Sequence, residues 1–395
     1  MNAPSQATRV ARPVLLLVGL LLVAATLRAP VTGVAPLLEV LEDSLRLSTA
    51  QAGLLMTLPL LAFGFISPFG ALLAQRYGLE RALFVALAMI TVGIAIRSLG
   101  MTWSLFLGTV LLGASIAVGN VLLPSLVKRD FPARVPALIG ACALMMGASA
   151  ALMSVLVFPV YSVTGWQVSL GGMALLPVLA MAVWWTQLGQ RSVPPPATAT
   201  APRGPRIWQS ALAWQVTLFM GMNSSVYYVL IAWLPSILMA SGFSPTAAGS
   251  LHGIMQFASA LPGLFLIPLV PLMKDQRLLA VLMATLTGLG FAGLALWPAW
   301  AMLWVILFGL GAGGTMLLAF MFMGLRAANA PQTALLSGMA QGVGYLMASM
   351  APVVAGKLHE LTGGWGVPLA MGVMFSVTLA GLGLLAGRRR TISQV

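Results

Sequence analysis

Apolar runs as long as a bilayer is thick follow one another along this chain, separated by short polar or charged turns. A helix rising 1.5 Å per residue needs about 20 apolar residues to cross the hydrocarbon core. Twelve runs meet that requirement, at 13–41, 48–73, 81–98, 103–127, 135–160, 166–188, 210–238, 246–271, 277–297, 300–325, 332–356 and 365–386. The pattern predicts an all-α membrane protein with twelve transmembrane helices. The one long polar stretch, 189–209, contains "RSVPPPATATAPRGPR" and reads as an extended linker without a core of its own. It separates a six-helix unit over 1–188 from a second over 210–395.

Composition agrees with the pattern. Of the 395 residues 60% are hydrophobic and 7% charged, whereas a soluble domain carries about a quarter charged residues. The first run is too long for a cleavable signal peptide and further spans follow it. Cys142, the single cysteine, can form no intramolecular disulfide and has no companion for a metal site, so it reads as a small core residue. No metal site and no cofactor are expected.

The two units echo each other at an offset of about 196–199 residues. "LSTAQAG" (47–53) matches "FSPTAAG" (243–249), each opening an even-numbered span. "LLGAS" (111–115) matches "GLGAG" (309–313), and "FPARVPALIG" (131–140) matches "NAPQTALLSG" (329–338). Two pseudo-symmetric six-helix halves joined by a linker form the architecture of the major facilitator fold, which binds its ligand near mid-membrane between the halves.

Charge sets the orientation. With the N-terminus inside, sixteen Lys and Arg fall on the inner side, while Arg46, Arg97 and Lys357 fall outside. The positive-inside rule then places both termini in the cytoplasm of a bacterial inner membrane. The net charge of +13 is mostly this bias, and no concentrated basic patch with aromatic platforms suggests nucleic acid. The partners expected are a lipid bilayer and a small-molecule substrate, the protein being a monomer.

One cation breaks the rule. Arg28 lies in mid-run within "AATLRAPVTGVAPLLEVLEDSL", where a guanidinium costs from a few to over ten kcal/mol, roughly, depending on how far water reaches it. Pro30 and Pro36 remove amide donors around it, which predicts a kinked or opened helix. Irregular backbone at that depth is tolerated where it lines a cavity or is buried in protein. Thr32 shares the Arg28 face, as does Glu39, but Glu39 is about 16 Å farther along the axis. The seven carboxylates, Glu39, Glu42, Asp43, Glu80, Asp130, Asp275 and Glu360, all fall at span ends or in loops. Arg28 therefore has no acidic partner, and an anionic substrate is its natural counter-ion. The competing reading is that Arg28 only bonds carbonyls freed by the prolines.

Other polar residues sit at depth. In the seventh run "GMNSSVYYVLIAWLP" puts Asn223 and Tyr227 near the midplane; Tyr227 either closes over a ligand or packs on a neighbour. His252, Gln256 and Ser259 form a polar stripe in the eighth run, with His252 either a structural residue or a proton carrier. Gln341 and Tyr345 share a face with Ser337 halfway along the eleventh. Asn120 lies deeper in the fourth run, as a ligand contact or as helix-to-helix glue.

"LRAPVTGVAPLLEVL", "LPSLVKRDFPARV", "YVLIAWLPSIL", "GLGAGGTMLLAF" and "MAQGVGYLMASMAPVVAGKL" together resemble the cyanate porter family of the major facilitator superfamily. The resemblance covers essentially the whole chain. It implies transport of a small, planar, anionic or ionisable solute, cyanate-like or nitroimidazole-like, with Arg28, Tyr227 and Gln341 among the contacts. The chain departs from the superfamily in "ALLAQRYGLER", where Gln75 stands in place of the acidic residue of the loop between spans two and three.

Three function classes follow. The first is such a transporter, with Arg28, Thr32, Asn120, Asn223, Tyr227, His252, Gln256, Gln341 and Tyr345 as candidate substrate contacts. The second is a broad-specificity drug exporter binding through Met, Trp and Phe; span five lacks the glycine-proline motif common in such exporters. The third is a sensor or enzyme, for which no carboxylate pair, nucleophile with base, or metal cluster is visible. Protons are the candidate co-substrate, and without a mid-membrane carboxylate their route would use His252, Glu39 or the substrate itself.

Overall fold

The protein is described here by a computed structural model over residues 13–131, 134–188, 207–328 and 330–392. Within these residues the regular structure is helical, with no strand. Span 1 runs in pieces from Pro13–Thr26 to Leu38–Leu45. Spans 2 to 5 are the single helices Thr49–Tyr77, Leu79–Arg97, Thr102–Asp130 and Val135–Thr164. Span 6 is Trp166–Gly172 followed by Leu175–Trp184, and span 7 is Ala211–Ala240. Span 8 is divided into Pro245–Ala258 and Pro262–Leu269. Spans 9 to 12 are Arg277–Leu296, Ala301–Leu325, Ala330–Thr362 and Gly366–Ala386. Apart from 207–209, the expected linker lies outside the described residues.

Eleven of these spans are long and apolar enough to cross a membrane. The remaining one, span 11, is 33 residues long and carries Ser337, Gln341 and Tyr345 in its apolar run. The outer surface is covered with exposed Leu, Val, Phe and Trp side chains, as a bilayer-facing surface should be. Burial sorts the spans: 83% of the best span-7 window lies inside the protein against 33% for span 12. Span 7 is thus central and span 12 peripheral.

The repeated motif has a physical basis. Ser48 and Gln51 cap span 2 reciprocally, the Ser48 amide donating to Gln51 Oε1 at 2.9 Å and the Gln51 amide to Ser48 Oγ at 3.2 Å. At span 8 Ser244 Oγ accepts from the Ala247 amide at 3.2 Å, with Pro245 in the first turn. Both sequences start a helix after a loop.

Spans 1–6 meet spans 7–12 mainly through spans 2 with 11 and 5 with 8. These contacts tighten at the end remote from the termini. A Cβ on Gly249 would stand 2.6 Å from the Ser154 carbonyl oxygen, and one on Gly53 3.1 Å from the Pro352 carbonyl oxygen. At the same end Glu360 Oε1 accepts from the Ala50 amide at 3.1 Å. Towards the termini, Gly140 of span 5 and Gly338 of span 11 meet nothing within 4 Å.

Candidate functional site

The site begins with broken backbone. Span 1 stops at Thr26, turns through Leu27 and Arg28, resumes over Ala29–Thr32 and passes through a tight turn at Ala35–Leu37. Arg28 has φ −125° and ψ −43°, and Pro30 follows in the new first turn. Each carbonyl freed by the break needs another donor, because hydrocarbon offers none.

Two side chains supply donors to this segment. Ser149 of span 5 donates from Oγ to the Ala25 carbonyl at 2.9 Å. Arg97 of span 3 donates from Nη1 to the Pro30 carbonyl at 2.7 Å. The Arg28 carbonyl is not freed: it accepts from the Val31 and Thr32 amides at 3.1 and 3.2 Å, with Thr32 Oγ1 at 3.3 Å beside them. Arg28 donates to none of these carbonyls, and its guanidinium is directed elsewhere.

That guanidinium turns to the other six spans. Arg28 Nη2 donates to Gln256 Oε1 of span 8 at 3.4 Å, and its Cζ lies 5.1 Å from the centre of the Tyr227 ring of span 7, within cation–π range. Tyr228 and Tyr345 are near enough to interact with it electrostatically. Arg28 keeps partial exposure, so it remains reachable. Among the described residues the ion pairs are Arg129 with Glu80 and Asp130, Arg277 with Asp275, and Lys357 with Glu360. None involves Arg28.

Gln256 is held in one orientation. Its Oε1 also accepts from the Tyr227 hydroxyl at 2.7 Å, and a guanidinium can donate only to the oxygen of an amide. Nε2 is thereby turned the other way, fully buried and without a partner. A buried donor left unmade costs about 1–3 kcal/mol, a cost relieved when an acceptor arrives. Tyr227 Oη lies 3.3 Å from Ser259 Oγ as well. Arg28, Tyr227 and Gln256 thus form one cluster, rich in donors and poor in acceptors.

The other expected site residues are placed as follows. Thr32 is buried, its hydroxyl engaged with its own helix. Asn223, one turn from Tyr227, accepts a short bond from Thr315 of span 10. His252 is fully buried with Nδ1 3.0 Å from Ser154 Oγ across the two groups of spans, and its Nε2 has no partner. Tyr345 meets Phe63 of span 2 edge-on at 5.9 Å. Gln341 donates to Ser337 Oγ at 2.8 Å, and both Gln341 and Tyr345 are half-buried. Asn120 is exposed.

Two side chains near the cluster escaped the sequence reading. Tyr228 packs edge-on against Tyr227 at 5.6 Å; periodicity cannot tell which of two adjacent tyrosines faces the site. Arg97, expected on the outer side, is instead 0% exposed and points into the protein towards Pro30. A cation at the end of a span reads as surface, but here the broken backbone of span 1 offers a better acceptor than water. An ion pair between the buried Glu80 of span 3 and the half-buried Arg129 at the end of span 4 was also unforeseen.

Comparison with known proteins agrees with this architecture. The family model described as Major Facilitator Superfamily matches residues 16–352. The chain is 49% identical to the 2-nitroimidazole transporter of Escherichia coli (strain K12), over 96% of this chain and 97% of that protein. It is 30% identical to the cyanate transport protein CynX of the same organism, over 89% and 91% of the two chains. The crystal structure of the nucleoside transporter NupG superposes with a TM-score of 0.76, covering 94% of this chain and 100% of that one at 14% identity, a likeness of fold alone.

Proposed function

We propose, since the chain belongs to the Major Facilitator Superfamily, that it carries a small planar solute that is anionic or readily ionised, nitroimidazole-like or cyanate-like, by alternating access. That it is a multi-pass membrane transporter follows from the family and the fold. The substrate and the roles of individual residues are our reading.

The observation that carries it is the state of Arg28. Its guanidinium sits between the two groups of spans with a neutral amide and an aromatic ring as neighbours, while Ser149 and Arg97 serve the Ala25 and Pro30 carbonyls beside it. A half-buried cation without an acid attracts an anion, and a planar oxyanion or ionised azole matches the guanidinium fork. Gln256 Nε2 is the second donor. Tyr228 and Tyr345 offer hydroxyls and flat faces to a planar ligand. A nitro group withdraws electrons from an imidazole ring and acidifies its N–H, so such a ligand delivers the negative charge this site lacks.

The tight packing of Gly249 on Ser154 and Gly53 on Pro352 closes one end, and reversal of that closure would expose the cluster to the other side. The excess of Lys and Arg at the end bearing the termini supports a cytoplasmic location for it in a bacterial inner membrane. A monomer suffices, because both groups of spans that hold the cluster belong to one chain.

Flux into proteoliposomes tests the reading. Labelled 2-nitroimidazole and cyanate are offered with and without a pH gradient to wild type and Arg28→Ala at equal protein density. Saturable uptake by wild type that Arg28→Ala abolishes supports it. Equal uptake by the two proteins refutes it.

A further inference from the structure

We infer that Arg97 is a positioning residue for Arg28: its guanidinium, anchored on the Pro30 carbonyl, holds the broken segment of span 1 so that Arg28 faces spans 7 and 8. The inference rests on the reading that Arg28 meets the substrate.

Arg97 is the last residue of span 3 and is completely buried. Nη1 donates to the Pro30 carbonyl at 2.7 Å and Nη2 lies 3.5 Å from Met173 Sδ of span 6. Nε has no partner, and no acid pairs with Arg97 among the described residues. Burying a guanidinium on these terms is costly. Its acceptor is specific. The Val34 amide bonds Val31 rather than Pro30, so the Pro30 carbonyl has lost its helical donor and Arg97 replaces it.

The place of that carbonyl decides the role. The segment Ala29–Thr32 is a single helical turn, bounded by the break at Arg28 and by Gly33. Such a turn has little to fix its rotation besides side chains packed on it. Span 5 packs along it, Arg97 and Met173 hold it from spans 3 and 6, and a Cβ on Gly33 would stand against the Met173 methyl. Rotation of this turn would carry Arg28, two residues from Pro30, away from Gln256 and Tyr227. Arg97 itself does not reach a ligand site: the void beside it, lined by Val31, Leu55 and Thr109 among others, measures about 10 Å³, room for about one water.

Two readouts on purified protein test this. The first needs no substrate: hydrogen exchange of the amides from Leu27 to Val34, by mass spectrometry. Arg97→Met should accelerate exchange there by about tenfold or more, Arg97→Lys by less, and Arg28→Lys should leave it unchanged. The second is the Kd for 2-nitroimidazole in wild type, Arg97→Met, Arg28→Lys and the double variant. Arg97→Met should weaken binding by about tenfold in the wild-type background and less than about twofold in the Arg28→Lys background. Unchanged exchange overturns the inference, and so does an equal loss of affinity in both backgrounds. If Arg97→Met does not purify as a folded protein, Arg97→Lys carries both tests, since it keeps the charge but not the fork. Wild-type affinity in Arg28→Gln, which removes the charge that lysine keeps, with exchange altered by Arg97→Met would instead refute the substrate reading and leave the grip of Arg97 on span 1 standing.

Discussion

Arg28 and Gln256 meet across the two groups of spans, the guanidinium donating at 3.4 Å to an amide oxygen that also accepts from Tyr227. The contact is long and the acceptor neutral. An arginine neutralised within its own chain would have a shorter, bidentate, acidic partner. The relationship orients the cation without discharging it.

Replacing Gln256 by glutamate therefore turns the site against its ligand. Gln256→Glu is nearly isosteric and supplies the carboxylate that Arg28 lacks. Hydrogen bonds to charged groups are worth about 1.5–3 kcal/mol, so anion affinity should fall by about tenfold or more, while the protein remains as heat-stable as wild type. Isothermal titration with 2-nitroimidazole alongside a melting curve checks both halves. Undiminished affinity would mean that the Arg28 charge does not hold the anion.

Tyr227 contributes a ring and a hydroxyl that can be separated. Tyr227→Phe keeps the ring 5.1 Å from Arg28 Cζ but removes the bonds to Gln256 and Ser259. The loss of about 1 kcal/mol of orienting bond should weaken substrate by about fivefold. Tyr227→Ala, which removes the ring as well, should cost more. The apparent KM of transport for the two variants measures the difference.

Closure at the end remote from the termini depends on the absence of a side chain at Gly249, where a Cβ would meet the Ser154 carbonyl at 2.6 Å. Gly249→Val should wedge spans 5 and 8 apart and bias the protein against the closed form. Transport should fall by about tenfold or more, with substrate binding largely kept. Faster thiol labelling of a cysteine introduced at Ala248 would report the opening. Wild-type flux in Gly249→Val would show that this packing is not part of the transport cycle.

Much of this could be read from the chain and some could not. Twelve apolar runs dictate the spans, and Arg28 stands out because charge inside such a run has few explanations. The openings of spans 2 and 8 were legible in the matching motifs "LSTAQAG" and "FSPTAAG", because the start of a helix is set locally. The partnership of Arg28 with Gln256 and Tyr227 was not: the three residues were candidates one by one, but their register depends on how spans 1, 7 and 8 dock, which no local pattern encodes. The inward turn of Arg97 was not legible, because position along a span says nothing of which way a long side chain turns. The interruption of span 8 between Ala258 and Pro262 was missed, although Pro262 was a signal against a continuous run over 246–271.

The most direct test is the affinity of purified wild type and Arg28→Gln for 2-nitroimidazole, titrated at a series of pH values spanning the ligand's own ionisation. If the cargo brings the counter-charge, wild type should bind more tightly as the ligand ionises, and Arg28→Gln should bind at least about 30-fold more weakly with that dependence gone. Binding by Arg28→Gln within about threefold of wild type, with the same pH profile, would contradict the account.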